Sequence, residues 1–186
     1  MPKVKYGLKN AYYAVATIST TDGTATFGTP KRLPGAVSIS MESTGENTKF
    51  YADDVAYYTA PGAAGYQGDL TIAMIPDDFR KDCLDEVEPI SGVLVEEGNA
   101  SPKEFALLFE FTTDENAVRH VMYNCTAKRP AVSGNTKGET TEVSTEVLTI
   151  TAATIHNATL QKDIVKAKAE STATCYSAWY TSVYQP

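Results

Sequence analysis

Three stretches of this chain place apolar side chains at every second residue, the spacing that lines one face of an extended strand. In residues 36–42 (AVSISME), Val37, Ile39 and Met41 take one face while Ser38, Ser40 and Glu42 take the other. In residues 66–75 (YQGDLTIAMI), Tyr66, Gly68, Leu70, Ile72 and Met74 alternate with Gln67, Asp69, Thr71 and Ala73. In residues 105–111 (FALLFEF), Phe105, Leu107, Phe109 and Phe111 share one face. A helix cannot keep a period of two, so each stretch reads as a strand. A chain of 186 residues built this way is expected to form one β-dominated domain around a single core. The eleven tyrosines and the abundant Thr, Ala, Val and Ser suit half-buried pleated surfaces.

Further strands are expected at 11–18 (AYYAVATI), in a short extended piece within 24–33, at 92–96, and at 117–128. The last pairs back on 105–111 as a hairpin, with Val121, Tyr123 and Cys125 on one side. Residues 141–153 read as a strand of unassigned faces, because the adjacent Val147 and Leu148 point to a bulge. One helix opens at Pro76-Asp77-Asp78, with carboxylates in its positively polarised first turn. Its apolar stripe is Phe79, Cys83, Leu84 and Val87, and it ends before Pro89. Residues 1–10 are polar and basic and read as an N-terminal arm that orders only against a partner. Residues 11–156 form the domain. Residues 157–186 form a C-terminal tail that packs on the domain or on a neighbour, with Tyr176, Trp179 and Val183 spaced for a short helix or a strand. Between two of the alternating strands lies a long polar excursion, 43–65, where Phe50-Tyr51 and Tyr57-Tyr58 flank Asp53-Asp54. Loops of this length are rarely idle. About eight strands and one flanking helix suit a β-sandwich or a partly closed barrel.

The residues that usually carry chemistry are sparse. The only histidines are His120 and His156, and His120 reads as a partly exposed strand residue beside Arg119. Asp53-Asp54 and Asp77-Asp78 are the only notable carboxylate pairs. Neighbours on a strand point to opposite faces, so a turn and a helix N-terminus account for them better than acid/base work does. Cys83, Cys125 and Cys175 are odd in number and lack CxxC spacing, which indicates small core residues in a reducing compartment rather than disulfides or zinc. No phosphate-binding motif is present, and Gly62-Ala63-Ala64-Gly65 lacks the lysine such a loop needs. A net charge of −7 opposes a general phosphate-binding surface. Arg119, Lys128, Arg129 and Lys137 form the nearest approach to a basic cluster and read as solvated surface. No stretch approaches the ~20 apolar residues of a membrane span, and no apolar segment follows Lys3 and Lys5, so a cytoplasmic protein without a membrane anchor is expected. Enzymatic activity and a cofactor are not expected. The tyrosines lack interleaved Arg and Lys, which favours protein interfaces over nucleic-acid stacking.

Four segments occur in an order that identifies a resemblance: YGLKNAYYA at 6–14, GYQGDLT at 65–71, FALLFEF at 105–111 and YNCTAKRP at 123–130. With the Thr/Glu-rich strand at 141–152 and the tail around Trp179, they resemble the major tail proteins of long-tailed, non-contractile bacteriophages over nearly the whole chain. That resemblance implies a tail-tube β-sandwich with a flanking helix. Six copies would close into a ring, and rings would stack into a hollow tube that delivers double-stranded DNA to the host. It implies a place in the virion tail after assembly in the bacterial cytoplasm, with copies of itself, a tape measure protein, and tail terminator and tail-tip proteins as partners. It also implies an inter-ring role for the 43–65 excursion through Phe50, Tyr51, Asp53, Asp54, Tyr57 and Tyr58. The polar faces bearing Ser38, Ser40, Glu42, Gln67, Asp69 and Thr71 would suit the lumen, where they give phosphates nothing to grip. Two other readings stay open. One is another ring-forming tail component, such as a tail completion protein or a phage-derived bacteriocin tube. The other is a carbohydrate- or receptor-binding β-sandwich whose site would be the tyrosines.

Overall fold

The computed structural model describes residues 4–45, 48–52, 55–60, 62, 65–134, 136 and 143–186. In chain order the elements are β1 (Lys5–Ile18), β2 (Ala25–Phe27), β3 (Lys31–Arg32), β4 (Ala36–Thr44), β5 (Thr48–Ala52), β6 (Val55–Ala60) and β7 (Gly65–Ile72). The helix α1 (Asp77–Cys83) follows, then β8 (Val87–Ile90), β9 (Val93–Val95), β10 (Phe105–Thr113) and β11 (Val118–Ala127). The chain closes with β12 (Glu146–Ala153), β13 (Ile155–Asn157), β14 (Lys162–Ile164) and β15 (Lys166–Ala169). Nine strands form one antiparallel sheet in the order β2-β1-β10-β11-β12-β7-β4, with β15 also on β11 and β3 also on β1. The sheet does not close into a barrel, and the whole is consistent with a tail-tube-type β-sandwich carrying one helix.

The centre of this arrangement is β10, which is buried on both faces. Phe105, Leu107 and Phe109 enter one apolar cluster with Leu70 and Ile72 of β7, Leu148 and Ile150 of β12, and Phe79 and Cys83 of α1. Ala106 and Leu108 enter a second cluster with Ala14, Val121, Tyr123, Ile155 and Trp179. A strand covered on both sides needs a nearly continuous apolar run, which FALLFEF supplies. The β12–β7–β4 part of the sheet turns over the first cluster, and the chain after β12 covers the second.

Several local expectations change. Val121 and Tyr123 lie in the second cluster, but Cys125 lies in the first. The pairing of β10 with β11 slips between Phe105↔Cys125 and Leu107↔Met122, and one extra residue on β11 exchanges the faces beyond it. The bulge expected at Val147 is absent: β12 pairs with β7 in unbroken register from Glu146↔Ile72 to Ala152↔Tyr66, and Val147 points outward. The helix ends at Cys83, so Val87 leaves the stripe and stands exposed in β8. Met74 is also exposed, because the chain leaves β7 at Ile72 and bends before Ile75 re-enters the core. There the Ile75 amide donates to a Glu146 carboxylate oxygen at 2.6 Å. Residues 5–10, expected as an arm, run within β1 and pair with β10 from Lys5↔Thr113 to Lys9↔Glu110. The register breaks after Tyr6 and after Lys9, next to the positive φ of Gly7 (67°) and Asn10 (50°).

Residues 171–182 form neither helix nor strand. They run as consecutive turns, with Tyr176 N–H bonded to Ala173 O and Trp179 N–H to Tyr176 O. Each turn lays an aromatic on the sheet. Arg119 of β11 anchors the run: its guanidinium lies 3.8 Å from the Tyr176 ring centroid, donates to the Tyr176 carbonyl and pairs with the buried Glu110 at 3.2 Å. The Tyr180 hydroxyl and the Asn10 amide complete the shell of Glu110 at 3.0 and 2.7 Å.

Candidate assembly surfaces

The antiparallel register of β4 and β7 sets Ser38 opposite Thr71, Ser40 opposite Asp69 and Glu42 opposite Gln67. Leu70 and Ile72 turn inward, so this alternate set turns outward, and all six lie on one face. β12 extends it with Thr149 and Thr151, whose neighbours Leu148, Ile150 and Ala152 are buried. Thr149 Oγ1 donates to Asp69 Oδ1 at 2.7 Å. A shallow open hollow of about 460 Å³ lies here, lined by Ser40, Glu42, Gln67, Asp69 and Thr149 among others and, among the described residues, by no Lys or Arg. The hollow is therefore hydroxyl- and amide-rich with two carboxylates, and the exposed Lys128, which follows β11 and bonds Thr149 O through its amide, comes next along the same row.

The excursion between β4 and β7 is itself a hairpin. β5 pairs with β6 from Thr48↔Ala60 to Ala52↔Val55, and it stands on the β4–β7 ribbon, whose outermost pair is Thr44↔Gly65. Phe50 and Tyr51 are in β5, and Tyr57 and Tyr58 are in β6. Asp53 and Asp54 lie outside the described residues.

The same end of the sheet holds a pocket of about 200 Å³ in the gap left by the unclosed sheet. Ile39 and Met41 of β4, Tyr66 of β7, Phe109 and Phe111 of β10, and His120 of β11 line it. Its rim is cationic. Lys5 Nζ lies 4.8 Å from the Phe111 ring centroid and Lys166 Nζ lies 4.4 Å from that of Tyr66. His120 stacks on Phe109 with centroids 5.3 Å apart. Burial, then the charges of Lys166, Lys5 and Lys168, push its pKa down to about 4.

A family model described as phage tail tube protein matches residues 2–181. The chain belongs to the phage tail tube protein family. This makes it a structural component of a virion tail. No curated protein matches it. Among solved structures it is similar to a cryo-EM structure of the tube-terminating cap of an anti-feeding prophage. The identity is 10%, the match covers 91% of this chain and 95% of that one, and the TM-score is 0.47.

The side chains weighed for catalysis in this tail tube family member have separate surroundings. His120 is in the pocket just described, while His156 pairs with Asp163 at 3.0 Å on the β13–β14 hairpin. Asp77 is exposed at the start of α1, and Glu96 pairs with Arg129 at 2.8 Å. Among the described residues no group of three or more His, Cys, Asp or Glu could hold a metal ion, and no helix is long and apolar enough to cross a membrane. Cys83 and Cys125 are buried, which pushes their thiols up to about 12, and Cys175 is half-buried. Sequence reasoning missed Thr149 and Thr151, whose alternation with Leu148, Ile150 and Ala152 was the available signal. It also missed the pocket lysines, which come together through the pairing of β1 with β10 and of β15 with β11.

The depressed His120 pKa has a defined sign. The folded state favours the neutral ring, so this contribution is complete above the unfolded value of about 6.5 and is lost as pH falls toward 4. Because the ring is partly solvated, wild type is expected to lose about 1 kcal/mol more than His120→Phe between pH 7 and pH 4.5. Urea unfolding of both proteins at the two pH values checks this. Equal losses in the two proteins would refute it.

Proposed function

We propose that this chain is the subunit of a non-contractile phage tail tube, in which six copies close into a ring, rings stack, and double-stranded DNA passes through the bore. The observation that carries this reading is the joint β4–β7–β12 face, where Ser38, Ser40, Glu42, Gln67, Asp69 and Thr71 meet Thr149 and Thr151 and where no Lys or Arg among the described residues lines the hollow. A lumen wall of this composition gives phosphates only hydroxyls, amides and carboxylates, which keeps the DNA mobile. The exposed edge of β4 suits lateral closure by a heterologous contact, one patch meeting a different one. The β5–β6 hairpin, with Phe50, Tyr51, Tyr57 and Tyr58 and the adjoining Asp53 and Asp54, is assigned to contact between rings. A tape measure protein would occupy the bore during assembly, and terminator and tip proteins would close its ends. The role is structural and needs no catalysis or cofactor.

Negative-stain microscopy and light scattering of the purified chain test the assembly, and long tubes are the expected result. Single rings alone would favour a tail completion role, and a compact monomer would refute the tube. The lumen is tested by replacing both Glu42 and Asp69 with Lys in assembled particles. Tubes should still form, while DNA delivery falls by about tenfold or more, because the new cations hold phosphates. Unchanged delivery would move these residues off the bore.

A further inference from the structure

The two ends of the sheet carry complementary surfaces. At one end is the His120 pocket, with an apolar floor and with Lys5 and Lys166 on its rim. Lys168, which pairs with Glu170 at 3.6 Å, lines the adjoining hollow together with Lys5, Phe111 and His120, and among the described residues neither lining contains a carboxylate. At the other end, past α1, stands the β8–β9 hairpin. Val87 pairs with Val95 and Ile90 with Val93, and all four side chains are exposed, Ile90 at 70%. Residues 85–98 contain five carboxylates; Asp85, Glu86, Glu88 and Glu96 pair with Lys103, Arg80, Lys81 and Arg129 of the same chain, and Glu97 stands exposed beside them. These are opposite ends of the same strands. In β7, Tyr66 lines the pocket and Ile72 leads to α1, about 20 Å away at strand rise. In β10, Phe111 lines the pocket while Phe105 packs edge-on against Phe79 of α1 at 5.3 Å.

We propose that the β8–β9 hairpin of one copy seats in the Lys5–Lys166 pocket of the next copy along the tube, with Ile90 on the apolar floor and the exposed Glu97 against the lysines. This contact rests on the tube reading given above. An apolar cavity of about 150 Å³ accommodates a benzene-sized group, so a pocket of about 200 Å³ accommodates the Ile90 side chain. Joining opposite ends of identical molecules is a heterologous contact, and between copies stacked along the tube axis it does not close and therefore propagates. Each contact is small, but a ring makes all of its contacts at once, so a weak contact repeated around the ring suffices.

The test uses the full chain in a Cys175→Ser background, where the remaining native thiols, Cys83 and Cys125, are buried. Met41→Cys on the pocket floor is combined with Ile90→Cys, tubes are assembled and mild oxidant is added. A ladder of disulfide-linked subunits is expected from tubes and not from dissociated chains. Oxidised tubes that yield only monomer would overturn the proposal. So would a ladder formed by Met41→Cys with Tyr58→Cys instead, which would make the β5–β6 hairpin the occupant. As a second measurement, Ile90→Asp should leave the melting temperature within about 2 °C, since an exposed site contributes little, and should shorten tubes at least about tenfold through multivalent loss. Lys166→Glu should do the same, and pairing it with Glu97→Lys should restore length. Tubes of normal length from Ile90→Asp would overturn this contact and leave the tube reading intact. A wild-type chain that forms no tubes would overturn both.

Discussion

Replacing Gly68 with alanine is expected to separate β4 from β7 and to lower the melting temperature by at least about 6 °C. A Cβ at this position would lie 1.8 Å from the Ser40 carbonyl oxygen and 2.8 Å from the Met41 Cα. Both are backbone atoms of β4, so no side-chain rotation relieves the overlap, and the strand itself must move. Gly68 is required by close approach rather than by backbone freedom, in contrast to Gly7 with its φ of 67°. The strand at risk is an edge strand held to the sheet by one ladder, from Ala36↔Ile72 to Thr44↔Gly65. Overpacking of this severity costs about 3 kcal/mol or more, and in a chain of this size each kcal/mol shifts the melting temperature by about 2–4 °C. Hydrogen exchange should locate the damage. Amides of β4 should lose protection while those of β10 and β11 keep it, because the central strands are held by both apolar clusters. On the tube reading proposed above, ring formation should fail as well, since the β4 edge is the strand assigned to lateral closure. A melting temperature within 2 °C of wild type, with β4 still protected, would show that the sheet can absorb the methyl group.

How much of this was legible beforehand depended on whether a signal was local. Alternation over 36–42, 66–75 and 105–111 gave three strands and the correct inward sets at Leu70, Ile72, Phe105 and Leu107, because side-chain direction in a strand follows from spacing, whereas Val37, expected beside Ile39 and Met41, is exposed at the register break between Ala36 and Ser38. The same rule placed Ser38, Ser40, Glu42, Gln67, Asp69 and Thr71 on outward faces, although only the β4–β7 register shows that the two sets adjoin. Where a bulge intervened, spacing misled. Cys125 changes face because of an extra residue in β11 that nothing in the local sequence marks. The pocket was not legible at all. Lys5, His120 and Lys166 are far apart in the chain, and they meet because β1 and β11 both pair with β10 and β15 pairs with the same half of β11. The tail gave an aromatic spacing compatible with a helix, but its partners lie on β10 and β11. Tertiary contacts at Arg119 and Glu110 therefore set the turns of residues 171–182.

That tail carries the second large effect: Trp179→Ala is expected to destabilise the chain by about 3–5 kcal/mol. Trp179 is 1% exposed and packs in the cluster of Ala14, Ala106, Leu108, Val121 and Tyr123. Its indole N–H donates to the His120 carbonyl at 3.3 Å, and its ring stacks on Tyr184 at 5.7 Å. Truncation removes the largest side chain in this cluster and opens a cavity that the small residues around it cannot fill. Against a total stability of about 5–15 kcal/mol, the loss is a large fraction. The tail should loosen without leaving, because Arg119 still holds Tyr176 and Glu110 still accepts from Tyr180, independently of the indole. Hydrogen exchange should therefore rise most over 177–186, where Gln185 bonds Ala25 O and Asn157 bonds Pro186 O, and least at Tyr176. Trp179→Phe should recover more than half of the lost stability by refilling the apolar volume without the hydrogen bond. If Trp179→Ala melted within 3 °C of wild type, the second cluster would not depend on the tail, and β10 and β11 would have to be stable with that face uncovered.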